Sequence, residues 1–557
     1  MTGSKLYHDG YKQLSDEEKG TYLGPERLAR ERELGFWPNR VLTDYFDDTL
    51  RQRPESLALA AYRMETGEEI SLSYAQLNQR VHQIARQFMR LGINKGDVVA
   101  FQLPNCWQFV AIHLACIRIG AVSNPLMPIF RAREMEFMVN RAQAKLLVVP
   151  RCFRKFDHEA LAKQLLDSCP KLQHLLVIDG EGEHAFAAWE QEDDAGAQLT
   201  TQLQPDDIAK IMFTSGTTGE PKGVMHSSNT LLSGIAAVQE RLGLTGNEVI
   251  FMPSPFAHSI GFVYGIVMST YLGVPLIMMD IWDPKKAVEL MERYRVSFIF
   301  AAPPFLMDLI NVPVLKQHDL SHFRLFMLSG GPIPRALVTE AKAILHASIA
   351  TGWGMTETTL ATCNSPAQEQ HSVESDGIAL PHAEVRVVDE HNNEVPRGAE
   401  GKLQYRGSSL FVGYFKRPDL YEVDQQGWFD TGDLARMNEA GYISIVARDK
   451  DIIIRGGENI PVVEVEALIY EMPQVREVAL VGMPDLRLGE RACAFVVLHP
   501  GKTMSLKEMT DYLSKRELAR QYLPERLEIV HEVPKTPSGK VQKFVLRKMA
   551  SADVECA

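Results

Sequence analysis

Residues Thr214–Val224 read TSGTTGEPKGV and combine four hydroxyl side chains, three glycines and a lysine. They follow the apolar run IAKIMF (Ile208–Phe213), which predicts a buried strand, and lead into SNTLLSGIAAVQERL (Ser228–Leu242), which predicts a helix. A loop between a strand and a helix can hold phosphate, because glycines let the backbone approach and because N–H groups, hydroxyls and Lys222 supply donors. We therefore expect a phosphate-binding loop here; a flexible linker is the alternative that composition leaves open.

The loop does not match the common nucleotide-binding patterns. A Walker A motif ends in Gly-Lys-Ser or Gly-Lys-Thr, whereas Lys222 is followed by Gly223 and Val224. A protein-kinase glycine-rich loop would need H-R-D and D-F-G partners further along, and the chain has neither. The sequence also lacks a G-x-S-x-G elbow and a clustered His/Cys site, so it does not indicate a hydrolase or a zinc enzyme.

The composition of the 557-residue chain indicates a globular protein of two or more domains. Hydrophobic residues make up 45% and charged residues 23% of it, which is typical of a soluble fold. The net charge of −12 argues against a nucleic-acid partner, because such partners need a basic face. The seven cysteines are scattered without a C-x-x-C pair, and the N-terminus has no secretory pattern. Both features favour a cytoplasmic location.

One segment is long and uncharged enough to be weighed as a membrane span. Ser259–Met279 reads SIGFVYGIVMSTYLGVPLIMM. Its three glycines, its proline and its strand-like end indicate a buried helix followed by a buried strand. We therefore predict no transmembrane segment.

Short apolar runs alternate with helical patterns over the first two-thirds of the chain, which predicts parallel sheets covered on both faces. After Gly352, short alternating strands predict a small β-rich subdomain, and from about Asp451 helix patterns interleave with strands. The predicted fold class is α/β: a large N-terminal domain of two helix-covered β-sheets plus a small β-barrel-like subdomain, followed by a small mobile α+β C-terminal domain. We place these domains at residues 1–449 and 450–557.

Five motifs occur in an order that resembles one known group of enzymes. They are TSGTTGEPKG (Thr214–Gly223), GWGMTE (Gly352–Glu357), GWFDTGD (Gly427–Asp433), RDKDIIIRGGENI (Arg448–Ile460) and PKTPSGK (Pro534–Lys540). The series resembles the adenylate-forming superfamily of acyl-CoA synthetases, carrier-protein adenylation domains and beetle luciferases, from about residue 45 to residue 549. The stretches LTDYFD (Leu42–Asp47), PDLRLGERACAFVV (Pro484–Val497) and SGKVQKFVLRK (Ser538–Lys548) resemble bacterial short- to medium-chain fatty acyl-CoA synthetases and cyclohexanecarboxylate-CoA ligases about equally.

The resemblance implies an ATP-dependent ligase with two half-reactions. A carboxylate attacks the α-phosphorus of ATP to give acyl-AMP and pyrophosphate, and the thiol of coenzyme A then displaces AMP. The implied cofactors are ATP and Mg²⁺, with coenzyme A as co-substrate and a small carboxylic acid, a medium-chain fatty or alicyclic acid, as substrate. A standalone enzyme that loads a separate carrier protein and a non-catalytic nucleotide-binding homologue are the alternatives, and a homodimer stays open.

The matching motifs imply a catalytic set and a nucleotide-binding set. Lys540 would bridge the carboxylate and the α-phosphate, Glu357 would bind Mg²⁺, and these two with Thr214 and Lys222 form the catalytic set. Asp433 would accept hydrogen bonds from both ribose hydroxyls. Trp353 stands where Tyr or Phe is commoner and would stack on adenine. The nucleotide-binding set is Thr214, Ser215, Gly216, Thr217, Thr218, Gly219, Lys222, Gly352, Trp353, Gly354, Met355, Thr356, Asp433, Arg448 and Lys540.

For the second half-reaction, the resemblance implies that the C-terminal domain rotates. Lys450 falls at the hinge, where many relatives have Asp. The rotation would remove Lys540 from the site and bring RGGENI to it, so Gly456, Gly457 and Glu458 would face coenzyme A.

The acyl pocket is expected from segments around FAHSIGF, AAPPFL and LSGGP. His258 would form a gate with a binding role. Gly330 and Gly331 would leave room, and Phe305 and Met355 would cap the space. No cationic side chain occurs in these segments, which favours an acid with an apolar distal end.

Overall fold

The structure is a computed structural model that describes residues 25–186, 199, 201–214, 221–368, 370–448, 452–455, 458–485, 488–516, 518, 520–536 and 539–552. Its helices are α1 (Pro25–Leu34), α2 (Leu42–Gln52), α3 (Tyr74–Arg90), α4 (Trp107–Ile119), α5 (Ala132–Ala142), α6 (His158–Ser168), α7 (Ser228–Leu242), α8 (Met268–Leu272), α9 (Pro284–Arg293), α10 (Pro303–Asn311), α11 (Arg335–Leu345), α12 (Gln370–Glu374), α13 (Val462–Tyr470), α14 (Leu506–Lys515) and α15 (Lys543–Ala552). A π-helix spans Gly261–Val267, and short 3₁₀ turns occur at Gly182–His184, Pro313–Gln317, Pro366–Gln368, Pro418–Leu420 and Arg520–Tyr522.

The strands are β1 (Leu57–Tyr62), β2 (Glu69–Ser73), β3 (Val98–Phe101), β4 (Val122–Pro125), β5 (Leu146–Pro150), β6 (Cys152–Phe153), β7 (Phe156–Asp157), β8 (His174–Ile178), β9 (Ile208–Thr214), β10 (Lys222–Ser227), β11 (Ile250–Met252), β12 (Leu276–Met279), β13 (Phe298–Ala301), β14 (Leu325–Leu328), β15 (Ser348–Met355), β16 (Thr359–Cys363), β17 (Ile378–Ala379), β18 (Ala383–Val388), β19 (Glu400–Gly407), β20 (Gly413–Tyr414), β21 (Phe429–Met437), β22 (Ile443–Arg448), β23 (Ile453–Arg455), β24 (Glu458–Ile460), β25 (Val475–Asp485), β26 (Gly489–Leu498) and β27 (Arg526–Ile529).

Two large sheets have the predicted parallel cores. The nine-stranded sheet has the order β17-β16-β15-β14-β13-β11-β12-β1-β2, and its strands from β15 to β1 run parallel. The seven-stranded sheet has the order β20-β10-β9-β4-β3-β5-β8 and is parallel from β9 to β8. Their apolar runs are buried on both faces, as expected for parallel strands under helices.

The structure corrects one prediction about the glycine-rich loop. The sequence indicated a strand–loop–helix unit, but β10 lies between the loop and α7 and pairs antiparallel with β9, with Lys222 opposite Thr214. The loop therefore joins two strands of a hairpin. Helix α7 begins after it at Ser228, where Ser227 Oγ accepts from the backbone N–H of Thr230 at 3.2 Å. The segment KGVMHS (Lys222–Ser227) is too short for its pattern of apolar and polar residues to distinguish a strand from the start of the following helix. It is a strand because it pairs with β9 and β20.

Two smaller sheets follow in the chain. Strands β18, β19, β21 and β22 form a four-stranded antiparallel sheet, which is the predicted β-rich subdomain. Strands β23 to β27 form a five-stranded sheet that packs against α13 and α15, so the α+β character of the last block is confirmed. The mixed α/β fold class is thereby confirmed. The boundary at residue 450 and the mobility of the last block stay predictions.

The largest core cluster lies between the two large sheets. It includes most of α4 and α7 and the π-helix, and every residue of the π-helix is buried. Ser259–Met279 forms this π-helix, the short α8 and strand β12, as the sequence predicted. Gly261 permits the close approach there, because a Cβ on it would lie 2.2 Å from the carbonyl oxygen of Pro255. Within the described ranges, no helix combines the length and the hydropathy that a membrane crossing requires.

Candidate active site

A buried hydrogen bond joins the motifs GWGMTE and GWFDTGD. Trp353, on β15, donates from Nε1 to Oδ2 of Asp433, on β21, across 2.8 Å. Only 9% of Trp353 and 2% of Asp433 is exposed, so the carboxylate is held in one orientation. Arg448 pairs with Asp433 in the strand register, which brings the third predicted nucleotide-binding position to the same place. The side chain of Arg448 lies outside the described part of the chain.

The close packing of strand β15 on strand β16 requires the glycines of GWGMTE, whether or not a ligand is bound. A Cβ on Gly352 would lie 2.3 Å from the carbonyl oxygen of Thr362, and a Cβ on Gly354 would lie 2.1 Å from that of Thr359. Both glycines thus let β15 pack closely on β16. The hairpin they permit carries Trp353 and Met355 on β15 and the following Thr-Glu pair in its turn.

Glu357 is held by a residue that no motif indicated. Only 6% of Glu357 is exposed, and its Oε1 accepts a hydrogen bond from the hydroxyl of Tyr414 at 2.8 Å. Burial, and next the negative charge of Glu357, raise the pKa of Tyr414 well above its usual value, so this hydroxyl remains a donor. The ammonium of Lys222 lies 4.9 Å from the centre of the Tyr414 ring. Tyr414 therefore connects the predicted magnesium ligand with the lysine of the phosphate loop.

Thr356 is fixed through its backbone. The Nε2 of His226, on β10, donates to the carbonyl oxygen of Thr356 at 2.7 Å. The Nδ1 of His226 lies 3.1 Å from the hydroxyl of Thr230. Burial, and next the positive charge of Lys210, lower the pKa of His226 well below its usual value, so the ring is neutral. Sequence reasoning missed His226, which lies in the strand that it also missed.

Lys540 lies on a tight turn beside His258. The backbone N–H of Lys540 donates to Thr536 Oγ1 at 3.0 Å, and Gly539 supplies the positive φ of 85° that the turn needs. Burial, and next the positive charge of Lys540, lower the pKa of His258 to about 4. The charge effect places Lys540 near His258, although the two positions are about half of the chain apart. His258 is therefore neutral at physiological pH.

Contacts of the last block with α10 hold this turn in place. A Cβ on Gly539 would lie 3.3 Å from Cγ of Pro304, so the turn lies against the first turn of α10. Asp308, on the same helix, accepts from Nε1 of Trp282 at 2.9 Å. Burial raises the pKa of Asp308, and the nearby charge of Lys535 opposes that shift. The structure thus places the turn of Lys540 against the first turn of α10.

Comparison with known proteins identifies the family. Residues 46–415 match the family described as AMP-binding enzyme, and residues 464–540 match the one described as AMP-binding enzyme C-terminal domain. The chain belongs to the AMP-binding enzyme family. The prediction that the chain belongs to the adenylate-forming superfamily is thereby confirmed. The prediction that it is an enzyme of the acyl-CoA synthetase type is confirmed as well.

Three similar proteins cover nearly the whole chain. A medium-chain fatty-acid–CoA ligase of Escherichia coli (strain K12) is 36% identical over 555 residues, 95% of this chain and 97% of that protein. A mitochondrial medium-chain acyl-CoA ligase of Homo sapiens is 30% identical over 92% of this chain and 87% of its own length. The ATP-bound structure of MatB from Rhodopseudomonas palustris superposes with a TM-score of 0.80 at 29% identity, covering 92% of this chain and 99% of that one. ATP binding, which the motifs predicted, is supported by the family and by this ATP-bound structure.

The predicted acyl residues of this AMP-binding enzyme are not all brought together. Gly330 has a φ of 90°, and a Cβ on it would lie 2.6 Å from Cδ1 of Ile260, two residues after His258. Gly331 has no atom within 4 Å of such a Cβ, so space is open there. The ring of Phe305 instead packs on Trp282 at 5.2 Å, in the cluster on the other side of the nine-stranded sheet. Met355 is partly buried against the cluster of the four-stranded sheet.

Several predicted positions lie outside the described residues. They are Ser215, Gly216, Thr217, Thr218, Gly219, Lys450, Gly456, Gly457 and the side chain of Glu458. The phosphate loop is described at its two ends, Thr214 and Lys222, which lie opposite one another in the β9–β10 pair. The roles of the loop, the hinge and the coenzyme A strand stay predictions.

Proposed function

We propose that the protein is an AMP-forming acid–coenzyme A ligase that activates a medium-chain fatty or alicyclic acid. The observation that carries this proposal is the position of Lys540 beside His258, with the paired Trp353 and Asp433 and the held Glu357 on the nucleotide side. The full-length relatives of Escherichia coli and Homo sapiens are named as medium-chain ligases, which supports the substrate class.

In the first half-reaction, an oxygen of the acid attacks the α-phosphorus of ATP while the bond to pyrophosphate breaks. Lys540 would offset the charge of both the carboxylate and the α-phosphate, which otherwise repel one another. Asp433 would hold the ribose, and Trp353 would fix that carboxylate and offer its ring to adenine. Alignment of the carboxylate with the α-phosphate provides much of the rate acceleration, because the two groups then react within one complex and need not meet by diffusion.

The residues present fit a magnesium ion that is bound mainly through ATP. Mg²⁺ is commonly held by one or two carboxylates together with substrate phosphates, and Glu357 offers one such carboxylate near Lys222. When bound, the ion would neutralise the charge of the departing pyrophosphate. Tyr414 orients the carboxylate by its hydrogen bond to Oε1.

In the second half-reaction, the thiol sulfur of coenzyme A attacks the acyl carbon, the bond from that carbon to the AMP oxygen breaks, and the thiol proton leaves to solvent. Because the turn of Lys540 packs on α10 in this arrangement, the last block would have to move before the thiol arrives. We place the hinge at Lys450 and the thiol path along Gly456 and Gly457.

The experiment that tests this proposal measures pyrophosphate release with ATP and Mg²⁺, with and without coenzyme A. The acids are acetate, butyrate, hexanoate, octanoate, palmitate, cyclohexanecarboxylate and benzoate. An optimum at hexanoate, octanoate or cyclohexanecarboxylate, together with formation of the coenzyme A thioester, is the expected result. Pyrophosphate release without thioester formation would instead indicate an enzyme that loads a carrier protein, and no release with any acid would overturn the ligase proposal.

A further inference from the structure

Lys210 is a buried lysine that the proposed reaction does not use. It lies on β9 and none of its surface is exposed. Among the described residues, no group accepts a hydrogen bond from its ammonium. The same nitrogen lies 4.9 Å from the centre of the Phe262 ring, in the π-helix that begins three residues after His258. A fully buried amine without a hydrogen-bond partner lowers the stability of the folded protein, which is typical of a group retained for a function.

The position of Lys210 places its amine between the two large sheets. Thr214, Met212 and Lys210 alternate along β9 and share one face, and Met212 belongs to the core cluster between the sheets. His226 lies directly opposite Lys210 on β10, and Ser123 lies opposite it on β4. The amine therefore points into the layer that also contains α4 and the π-helix.

Three histidines, His113, His226 and His258, lie within the electrostatic influence of this amine. His113, on α4, has its ring 4.6 Å from Phe262 and its Nδ1 2.8 Å from the hydroxyl of Ser123. His226 lies on the neighbouring strand, and His258 precedes the π-helix. Burial first, and then the charge of Lys210, lower the pKa of His113 to about 3 and that of His226 well below its usual value. Lys210 likewise contributes to the lowered pKa of His258, after burial and Lys540.

Two of these histidines connect Lys210 to the reaction centre. His226 donates to the carbonyl oxygen of Thr356, which belongs to the predicted nucleotide-binding set. His258 lies within the electrostatic influence of Lys540, the predicted bridge to the substrate carboxylate. Lys210 therefore lies beside FAHSIGF (Phe256–Phe262), one of the segments expected to form the acyl pocket.

The phosphate groups of ATP are not the partner of Lys210. Thr214 begins the phosphate loop four residues further along β9, which corresponds to about 13 Å of extended strand. A lysine side chain reaches about half of that distance, and this one points into the core beside Phe262. The acyl part of the substrate is the group that the segment beside Lys210 is expected to bind.

We propose that Lys210 is a binding site for an oxygen-bearing group on the acyl part of the substrate, a second carboxylate or an oxo group at a distance from the reacting carboxylate. This inference rests on the proposed ligase function and refines its substrate class. It changes the sequence-based expectation of a purely apolar distal end. The ammonium can donate up to three hydrogen bonds, and an acceptor in a water-poor layer would give it the partner that the protein does not.

The experiment compares matched acids in the full-length enzyme. Hexanoate, adipate and 5-oxohexanoate share six carbons, and octanoate, suberate and 7-oxooctanoate share eight. The readout is the ratio of kcat/KM for the oxygenated acid over that for the plain acid, measured by pyrophosphate release. In Lys210→Met, this ratio falls at least tenfold for the dicarboxylate or the oxo acid of one length. Lys210→Gln, which keeps a donor without the charge, retains the ratio if the bound group is an oxo group and loses it if it is a carboxylate.

Met212→Leu is the matched control, because Met212 lies on the same face of β9 and is buried in the same layer. It leaves the ratio within twofold, and melting temperatures of all variants verify that they are folded. The inference is overturned if plain acids are activated and no ratio in Lys210→Met differs more than twofold from that of the unchanged protein.

A binding measurement separates failure of this inference from failure of the proposed ligase function. If no acid releases pyrophosphate, adipate and 5-oxohexanoate are titrated calorimetrically into the full chain with adenosine 5′-(α,β-methylene)triphosphate and Mg²⁺. Binding that is lost in Lys210→Met but kept in Met212→Leu supports the oxygen-binding site even without ligase activity. Absent binding, or binding that does not depend on Lys210, overturns it.

Discussion

Trp353 and Asp433 form a buried hydrogen bond of 2.8 Å between two motifs that lie 80 positions apart in the chain. The bond reaches Oδ2 of Asp433 and fixes the orientation of this buried carboxylate. A smaller aromatic residue at position 353 could stack on adenine as well but has no N–H to offer. The indole thus has a positioning role towards Asp433 in addition to any stacking.

Trp353→Phe separates these two roles. The ring remains, but the carboxylate loses a charge-assisted hydrogen bond that is typically worth about 1.5–3 kcal/mol. We expect KM for ATP to rise about tenfold or more, with a smaller rise for 3′-deoxyATP because its ribose makes less use of Asp433. Trp37→Phe is the control, since Trp37 donates to the carbonyl oxygen of Ser408 in a buried but separate place. An equal rise in both variants would contradict the positioning role.

Tyr414→Phe tests the hydroxyl that holds Glu357. The carboxylate would become freer to rotate, so we expect the Mg²⁺ concentration for half-maximal adenylation to rise about tenfold. The measurement is pyrophosphate release over a Mg²⁺ titration at fixed ATP. Tyr421→Phe removes another buried hydroxyl, one that accepts from Arg27, and should leave the Mg²⁺ dependence unchanged. A loss of maximal rate without a shift of the Mg²⁺ midpoint would argue against this role.

Lys540→Ala should affect the two half-reactions unequally. Adenylation would fall at least a hundredfold, because the charge near the carboxylate and the α-phosphate is lost. Thioester formation from preformed acyl-AMP would remain within a few-fold, because that step requires the lysine to be elsewhere. Lys548→Ala, an exposed lysine of α15, is the control. Equal loss of both half-reactions would refute the two-arrangement account.

The same variant has a spectroscopic readout. The positive charge of Lys540 is the second cause, after burial, that lowers the pKa of His258 to about 4. In Lys540→Ala that pKa should rise towards 6.5 while remaining below it, because burial and Lys210 still act. A titration of the histidine NMR signals between pH 3 and 7 follows the change. An unchanged pKa would mean that Lys540 does not approach His258 in solution.

The sequence was sufficient for the parts of the fold that short patterns encode, since apolar runs between helical patterns predicted the parallel strands. Trp353, Glu357, Asp433 and Lys540 were predicted as site residues because each lies in a motif, and the structure adds the buried hydrogen bond that joins Trp353 to Asp433. Ser259–Met279 was interpreted correctly because its glycines and proline fit a core better than a membrane span.

Residues whose partners are chosen by strand register could not be found in this way. Tyr414 is a lone tyrosine 57 positions from Glu357, and it reaches the carboxylate because β20 pairs with β10. His226 depends on the same hairpin, which the sequence analysis replaced by a direct entry into α7. Lys210 did leave a signal, since it is the single charged residue in the apolar run IAKIMF.

The burial of Lys210 also affects the stability of the folded protein, and this effect can be measured without a substrate. Burial lowers its pKa from 10.5 to about 7. Between these values the unfolded chain holds a proton that the folded chain has released, so the contribution of Lys210 to stability rises with pH, by up to about 1.4 kcal/mol per unit. Below pH 7 both states are protonated, and the cost of burying the charge is constant.

Lys210→Met should therefore be more stable than the unchanged protein at pH 7, by an amount that shrinks as the pH approaches 10. The measurement is the free energy of unfolding in urea at pH 7, 8 and 9 for both proteins, because other titrating groups cancel in the difference. The facing histidines, His113, His226 and His258, have lowered pKa values and remain neutral throughout, and burial raises the pKa of Cys116 to about 12. A stability difference that does not change with pH would show that Lys210 is charged in the folded protein and has a partner there.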